Sequence, residues 1–173
     1  MRKFTVLILL TFLLSLSAVA ADYPQAEVFG GFQYSHLQLA NGLNAPGYNV
    51  AFTGNFNRYF GVTADLGAGY TNISAINVSN YTYAFGPVLS FRTHQRVTPF
   101  AHVLFGGEHA SASLRQFGET INGFALLAGG GVDANMNRRF AVRVAQVDWM
   151  LFHGNGGNSD RNVRVSTGIV VKF

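Results

Sequence analysis

The chain reads as an all-β protein: an eight-stranded antiparallel up-and-down transmembrane β-barrel, preceded by a cleaved signal peptide. Three observations predict it. The 173 residues are 49% hydrophobic but only 12% charged, about half the charged share of an ordinary soluble chain. That composition argues against disorder and leaves too little charge to coat a water-exposed surface. Past residue 20 no apolar run approaches the ~18 residues that a membrane helix needs. Instead, segments of roughly ten residues alternate apolar with small or polar side chains, and turns separate them.

The first twenty residues have the anatomy of a secretory signal. Arg2 and Lys3 form a positive start, Phe4 to Leu16 is mostly apolar, and Ala18-Val19-Ala20 fits a small-residue cleavage site. A signal over 1–20 leaves one mature domain over 21–173. Cleavage removes two of the twelve basic residues and none of the eight acidic ones, so the formal charge falls from +4 to +2. No basic stripe remains, and no nucleic-acid partner is expected.

The strands are expected at about 26–37, 48–57, 60–70, 81–91, 98–108, 124–135, 140–151 and 162–173. In the second, Val50 and Phe52 alternate with Asn49, Ala51 and Thr53. In the third, Phe60, Val62, Ala64, Leu66 and Tyr70 alternate with Gly61, Thr63, Asp65 and Gly67. The fourth sets Tyr83, Phe85 and Leu89 against Thr82, Ala84 and Ser90; the sixth sets Leu126 and Val132 against Gly129, Gly131 and Asp133. The eighth sets Val163, Val165, Ile169 and Val171 against Arg164, Ser166, Gly168 and Lys172. Period two places each pair of sets on opposite faces of a sheet.

The polar sets are too poor in charge for a soluble exterior, but they fill the inside of a narrow barrel by mutual hydrogen bonds and ion pairs. The apolar sets then meet lipid, and closure satisfies every backbone group. Aromatic residues near strand ends fit the two interfacial girdles. Phe56, Phe60, Phe91, Phe140 and Phe173 lie toward one end, and Tyr34, Tyr48, Tyr70, Tyr83 and Trp149 toward the other. The connections after even strands are short and basic (57–59, 92–97, 136–139), whereas those after odd strands are longer and polar (38–47, 71–80, 109–123, 152–161). Bacterial outer-membrane barrels have short periplasmic turns and long outer loops, which predicts a bacterial outer-membrane location with both termini periplasmic.

These features together resemble the eight-stranded outer-membrane barrel family, the OmpA-type transmembrane domain and its small relatives, over the whole mature chain. The final Ser166-Thr167-Gly168-Ile169-Val170-Val171-Lys172-Phe173 is similar to the family's terminal assembly signal. The resemblance implies that Gly168, Val171 and Phe173 are read by the barrel-assembly machinery, and that membrane lipid and lipopolysaccharide are partners. The segments 54–61 and 96–102 also look like turn regions of bacterial outer-membrane barrel domains. The chain stops at Phe173 without the peptidoglycan-binding domain of full-length OmpA, so no cell-wall tether is expected.

Candidate chemistry lies on the inward parity. Glu27, Asp65, His102, Glu108, Asp133, Arg143 and Arg164 face the lumen, where acids opposite arginines form either a plug of neutralised charge or a gate. Eight strands leave room for side chains alone, which favours the plug. In strand seven, Gln146 and Asp148 break the alternation. A one-residue bulge near Ala145 turns them inward; alternatively, Asp148 lies above the hydrocarbon.

His153-Gly154-Asn155-Gly156-Gly157 faintly resembles the lipid A deacylase site, but Asn155 stands where the nucleophilic serine belongs. The five histidines lack metal-ligand spacing and the chain has no cysteine. No catalytic residue, metal or cofactor is expected. Gly129-Gly130-Gly131 makes room for neighbouring side chains. The expected role is structural or a surface interaction carried by four outer loops, whose ligand the residues do not name. The alternatives are an outer-leaflet lipid-modifying enzyme of the lipid A deacylase type and a narrow pore of low conductance.

Overall fold

The computed structural model describes residues 22–37, 43–73, 76–114, 117–154 and 157–173. The expected signal, residues 1–20, lies outside them. Eight strands follow in chain order: β1 (Ala26–Leu37), β2 (Leu43–Asn55), β3 (Phe60–Ile73), β4 (Ile76–Ser90), β5 (Val97–Leu114), β6 (Phe117–Asn135), β7 (Phe140–Gly154) and β8 (Gly157–Lys172). Each pairs antiparallel with its sequence neighbours, and β1 pairs with β8 to close the barrel. Closure removes every sheet edge, which lets a sheet cross lipid without unpaired backbone groups.

The strands are longer than the apolar alternation indicates. β5 and β6 have 18 and 19 residues, against the ~9–11 that cross the hydrocarbon. The expected long loops at 71–80, 109–123 and 152–161 are therefore mostly ladder, since pairing continues to Ile73↔Ile76, Leu114↔Phe117 and Gly154↔Gly157. In the first hairpin, β2 likewise begins at Leu43 rather than 48. The reason is physical. Backbone pairing needs no apolar side chain, so it persists where both faces are wet and period-two hydrophobicity fades. The opposite end has short connections at 56–59, 91–96 and 136–139; we call it the turn end, and the other the hairpin end.

The outward face is apolar: Leu66, Val103, Phe85 and Phe105 are exposed, while Thr63 and Asp65 on β3 are buried. Every aromatic expected in the two girdles is exposed. Tyr81 joins the set, its ring edge-on to Tyr70 with centroids 6.1 Å apart.

The inward face also carries apolar side chains beside the hydrogen-bonded ones. Leu37, Ala45, Leu104, Leu127, Met150 and Phe152 form a buried apolar cluster toward the hairpin end. Phe29, Ala51, Ala141 and Val170 form a second, toward the turn end. Between Phe124 and Ala128 the sequence is apolar at both parities, and alternation cannot distinguish the faces of such a run.

Candidate functional site

The site begins with a register change. β7 carries one extra residue against β6: Val132 pairs with Ala145 and Asp133 with Arg143, which leaves Val144 unmatched. Val144 and Ala145 are both exposed. Odd positions Ala141 and Arg143 point inward before this bulge, and even positions Gln146, Asp148, Met150 and Phe152 point inward after it. Gln146 and Asp148 are thereby buried.

A continuous chain of charge-assisted bonds follows. Arg143 donates to both carboxylate oxygens of Asp133, at 2.8 and 3.1 Å, and to Gln146 Oε1 at 2.7 Å. Gln146 donates to Asp148 Oδ2 at 2.8 Å. Arg164 donates to Asp148 Oδ2 from Nε and Nη2, at 2.9 and 2.7 Å, and to Asp65 Oδ1 at 2.8 Å. Asn49 donates to Asp65 Oδ2 at 3.0 Å, and His102 Nε2 lies 2.8 Å from Asp148 Oδ1. Strands β2, β3, β5, β6, β7 and β8 all contribute. The Arg164 guanidinium therefore ties β8 to β3 across the lumen.

The surroundings are shaped to fit. The Arg143 guanidinium lies over the rings of both Phe29 and Phe100, 4.4 and 4.2 Å from their centroids, two cation–π contacts. A Cβ at Gly67 would come within 3.0 Å of Arg164 Nη1, and one at Gly129 within 2.3 Å of Asp148 Oδ1. A Cβ at Gly131 would lie 2.8 Å from the Phe100 ring. Glycine at these positions gives the network its space.

Two of the seven expected lumen residues stand apart from this chain. Glu27 pairs with Arg92 at 2.7 Å near the turn end. Glu108 meets Asn80 near the hairpin end and no cation among the described residues. The sequence reading missed Arg92, which reaches inward from a turn where alternation carries no information. It also missed Asn49 and the Phe29–Phe100 pair. Asp148 was legible only through the bulge, and Lys172 donates to Asn135 Oδ1 at 2.5 Å.

Two small cavities lie beside this network. A cavity of about 10 Å3 is walled by Gln33, Thr82, Met150 and Arg164 among others. Another, of about 20 Å3, lies against Asp65, His102, Asp133 and Arg143. Each has room for about one water. Each of the three buried carboxylates of this network is paired with a guanidinium. Among the described residues no hydroxyl hydrogen-bonds to His102, so the His102–Asp148 pair lacks the group that a base would activate.

At the hairpin end, histidine sits across from asparagine in three hairpins: His36↔Asn44, His109↔Asn122 and His153↔Asn158. The first two pairs are hydrogen-bonded, each at 2.7 Å. The histidine spacing along the chain gave no hint of this, because the pairing is across strands. Asn155 and Gly156 of the histidine-glycine segment lie outside the described residues.

A family model for the outer membrane protein beta-barrel domain matches residues 6–173. The chain belongs to the outer membrane protein beta-barrel domain family. It is thus a bacterial outer-membrane barrel, and solved structures share its fold. Neisserial surface protein A, NspA, is 14% identical with a TM-score of 0.75, covering 86% of this chain and 97% of that one. Ail, the attachment invasion locus protein of Yersinia pestis, is 18% identical with a TM-score of 0.63, covering 87% and 99%. A further Ail structure is in complex with the heparin analogue sucrose octasulfate. OprG of Pseudomonas aeruginosa is 11% identical with a TM-score of 0.60, covering 88% and 97%. At these identities the likeness concerns the fold. No curated protein sequence matches the chain.

Proposed function

We propose that this outer-membrane barrel has a non-catalytic surface role, exercised by its hairpin end, on a lumen plugged by neutralised charge. The observation that carries the reading is the Asp133–Arg143–Gln146–Asp148–Arg164–Asp65 chain, which crosses the lumen and ties four strands together. Residues 1–20 act as the export signal and are removed, leaving 21–173. The turn end, with both termini, faces the periplasm. Gly168, Val171 and Phe173 serve as the signal read by the barrel-assembly machinery. Membrane lipid surrounds the apolar wall, and lipopolysaccharide meets the hairpin end.

The rival readings have less support. A lipid-modifying enzyme needs a nucleophile beside its base, and Asn155 stands where the serine would follow His153. A pore needs a continuous lumen, and the two cavities beside the ion-pair chain hold about one water each.

Single cysteines introduced at Asn122 and at Arg138 test the location and orientation. A membrane-impermeant maleimide applied to intact cells should label the first and reach the second only after the outer membrane is opened. The reverse pattern overturns the orientation. Lipid A and phospholipid masses should stay unchanged on incubation with the purified barrel; a shifted mass would establish the enzyme.

A further inference from the structure

Two turn-end connections are built from one six-residue pattern. Asn55-Phe56-Asn57-Arg58-Tyr59-Phe60 joins β2 to β3, and Asn135-Met136-Asn137-Arg138-Arg139-Phe140 joins β6 to β7. The geometry repeats bond for bond. Asn57 Oδ1 accepts from the backbone N–H groups of Tyr59 and Phe60, both at 2.8 Å. Asn137 Oδ1 accepts from those of Arg139 and Phe140, both at 2.8 Å. Phe56 N donates to Phe60 O at 3.0 Å, and Met136 N to Phe140 O at 3.0 Å. The apolar second residue, Phe56 or Met136, is 73% exposed in each copy. In a closed ring of eight strands, the β2–β3 and β6–β7 hairpins stand on opposite sides.

Each copy sets an exposed arginine beside that apolar residue. Arg58, Arg138 and Arg139 are exposed, as is Arg96 in the third turn. Among the described residues no carboxylate pairs with any of the four, whereas Arg92 turns inward onto Glu27. The guanidinium groups of Arg138 and Arg139 make no hydrogen bond among the described residues. Arg58 is partly engaged, donating to the Arg92 carbonyl at 2.6 Å. The hairpin-end connections balance Arg115 and Arg161 against Glu119 and Asp160. The excess positive charge of the mature chain therefore sits on the turn-end rim, with Asp22 as the acid nearby in sequence.

We propose that this rim is a binding site for anionic phospholipid headgroups, of the phosphatidylglycerol type, in the leaflet that the turn end touches. Phe60, Phe91 and Phe140 lie on the outward face directly below the rim and are exposed, at the level where aromatic belts meet headgroups. Phe56 and Met136 enter the boundary between headgroup and acyl chain. Arg58 and Arg138, with Arg96 and Arg139, hold phosphate oxygens by charge-assisted hydrogen bonds, for which the guanidinium fork is suited. A hydrated acidic polymer would match the arginines but not the apolar residue presented beside them twice. That the leaflet is the periplasmic one rests on the orientation proposed above; the headgroup site does not.

The test uses the full mature barrel folded in vesicles, with spin-labelled phosphatidylglycerol and phosphatidylcholine as probes of its lipid boundary. The expected result is a roughly two- to fivefold preference for the anionic lipid at low salt, weakening as salt screens it. Arg138→Gln with Arg139→Gln should lose most of the preference while the barrel stays folded, as read by heat-modifiable migration. Equal association of both lipids with the unaltered barrel, or a preference that ignores salt, overturns the proposal, and neither readout needs the variant to fold. Arginine-dependent retention on purified peptidoglycan sacculi without a lipid preference assigns the rim to a cell-wall polyanion and also overturns it. The maleimide pattern at Arg138 in cells reports the orientation separately, so the two readings fail independently.

Discussion

Asp148 on β7 lies directly opposite Arg164 on β8 and accepts two of its hydrogen bonds, at 2.9 and 2.7 Å. The pair depends on the unmatched Val144 of β7. With no extra residue, Asp148 would share the parity of Val144 and face lipid, and Arg164 would lose its partner on the neighbouring strand. One additional residue thus decides whether a fully buried arginine has a counter-ion, because each strand position alternates faces.

Asp133 and Arg143 are buried and joined by a bidentate pair. Asp133→Ala or Arg143→Ala strands a charge in the lumen and should cost about 3–5 kcal/mol. The double variant should cost much less than the two losses combined. Urea unfolding in lipid vesicles gives the cycle, and additive losses would show that the pair contributes no coupling.

Gly129 faces Asp148 across the β6–β7 ladder. Gly129→Ala places a Cβ 2.3 Å from both Asp148 Oδ1 and the Val147 carbonyl. The backbone must shift, at a cost of about 1–3 kcal/mol. Gly54→Ala, whose Cβ meets nothing within 4 Å, is the matched control. Equal stability of the two variants would show that the lumen is looser than this packing implies.

Much of this fold was legible in the sequence. Strand count and faces follow from period two, and closure from the need to pair every backbone group in lipid. The hairpin-end ladders were not legible, because Asn, Ser and Thr on both faces erase the period while the backbone still pairs. Phe29 and Phe100 share the inward parity with polar residues, and their role appears only once the Arg143 guanidinium lies over both rings. Arg92 comes from a turn, where no alternation predicts direction.

Leu66 faces outward and Thr63 inward on the same strand. Leu66→Arg should cost about 2–4 kcal/mol at midplane depth, whereas arginine at Thr63 acts through crowding and charge in the lumen. Spin labels at the two positions should differ sharply in oxygen accessibility. Matching accessibility would contradict the assigned faces.

Phe173 accepts a backbone hydrogen bond from Gln25 and donates one to Ala26, each at 2.8 Å. Its deletion removes this end of the β1–β8 closure and the last residue of the proposed assembly signal. Export should continue while the amount in the outer membrane falls at normal expression. Unchanged outer-membrane levels would contradict the assembly role.

The closed lumen is tested most directly by planar-bilayer recording of the purified, folded barrel. The ion-pair chain from Asp133 to Asp65 and cavities of about 10 and 20 Å3 predict a silent membrane, with no unitary current steps from the unaltered protein. Reproducible steps that scale with the amount of folded barrel would contradict the plug, and with it the assignment of function to the surface rather than the interior.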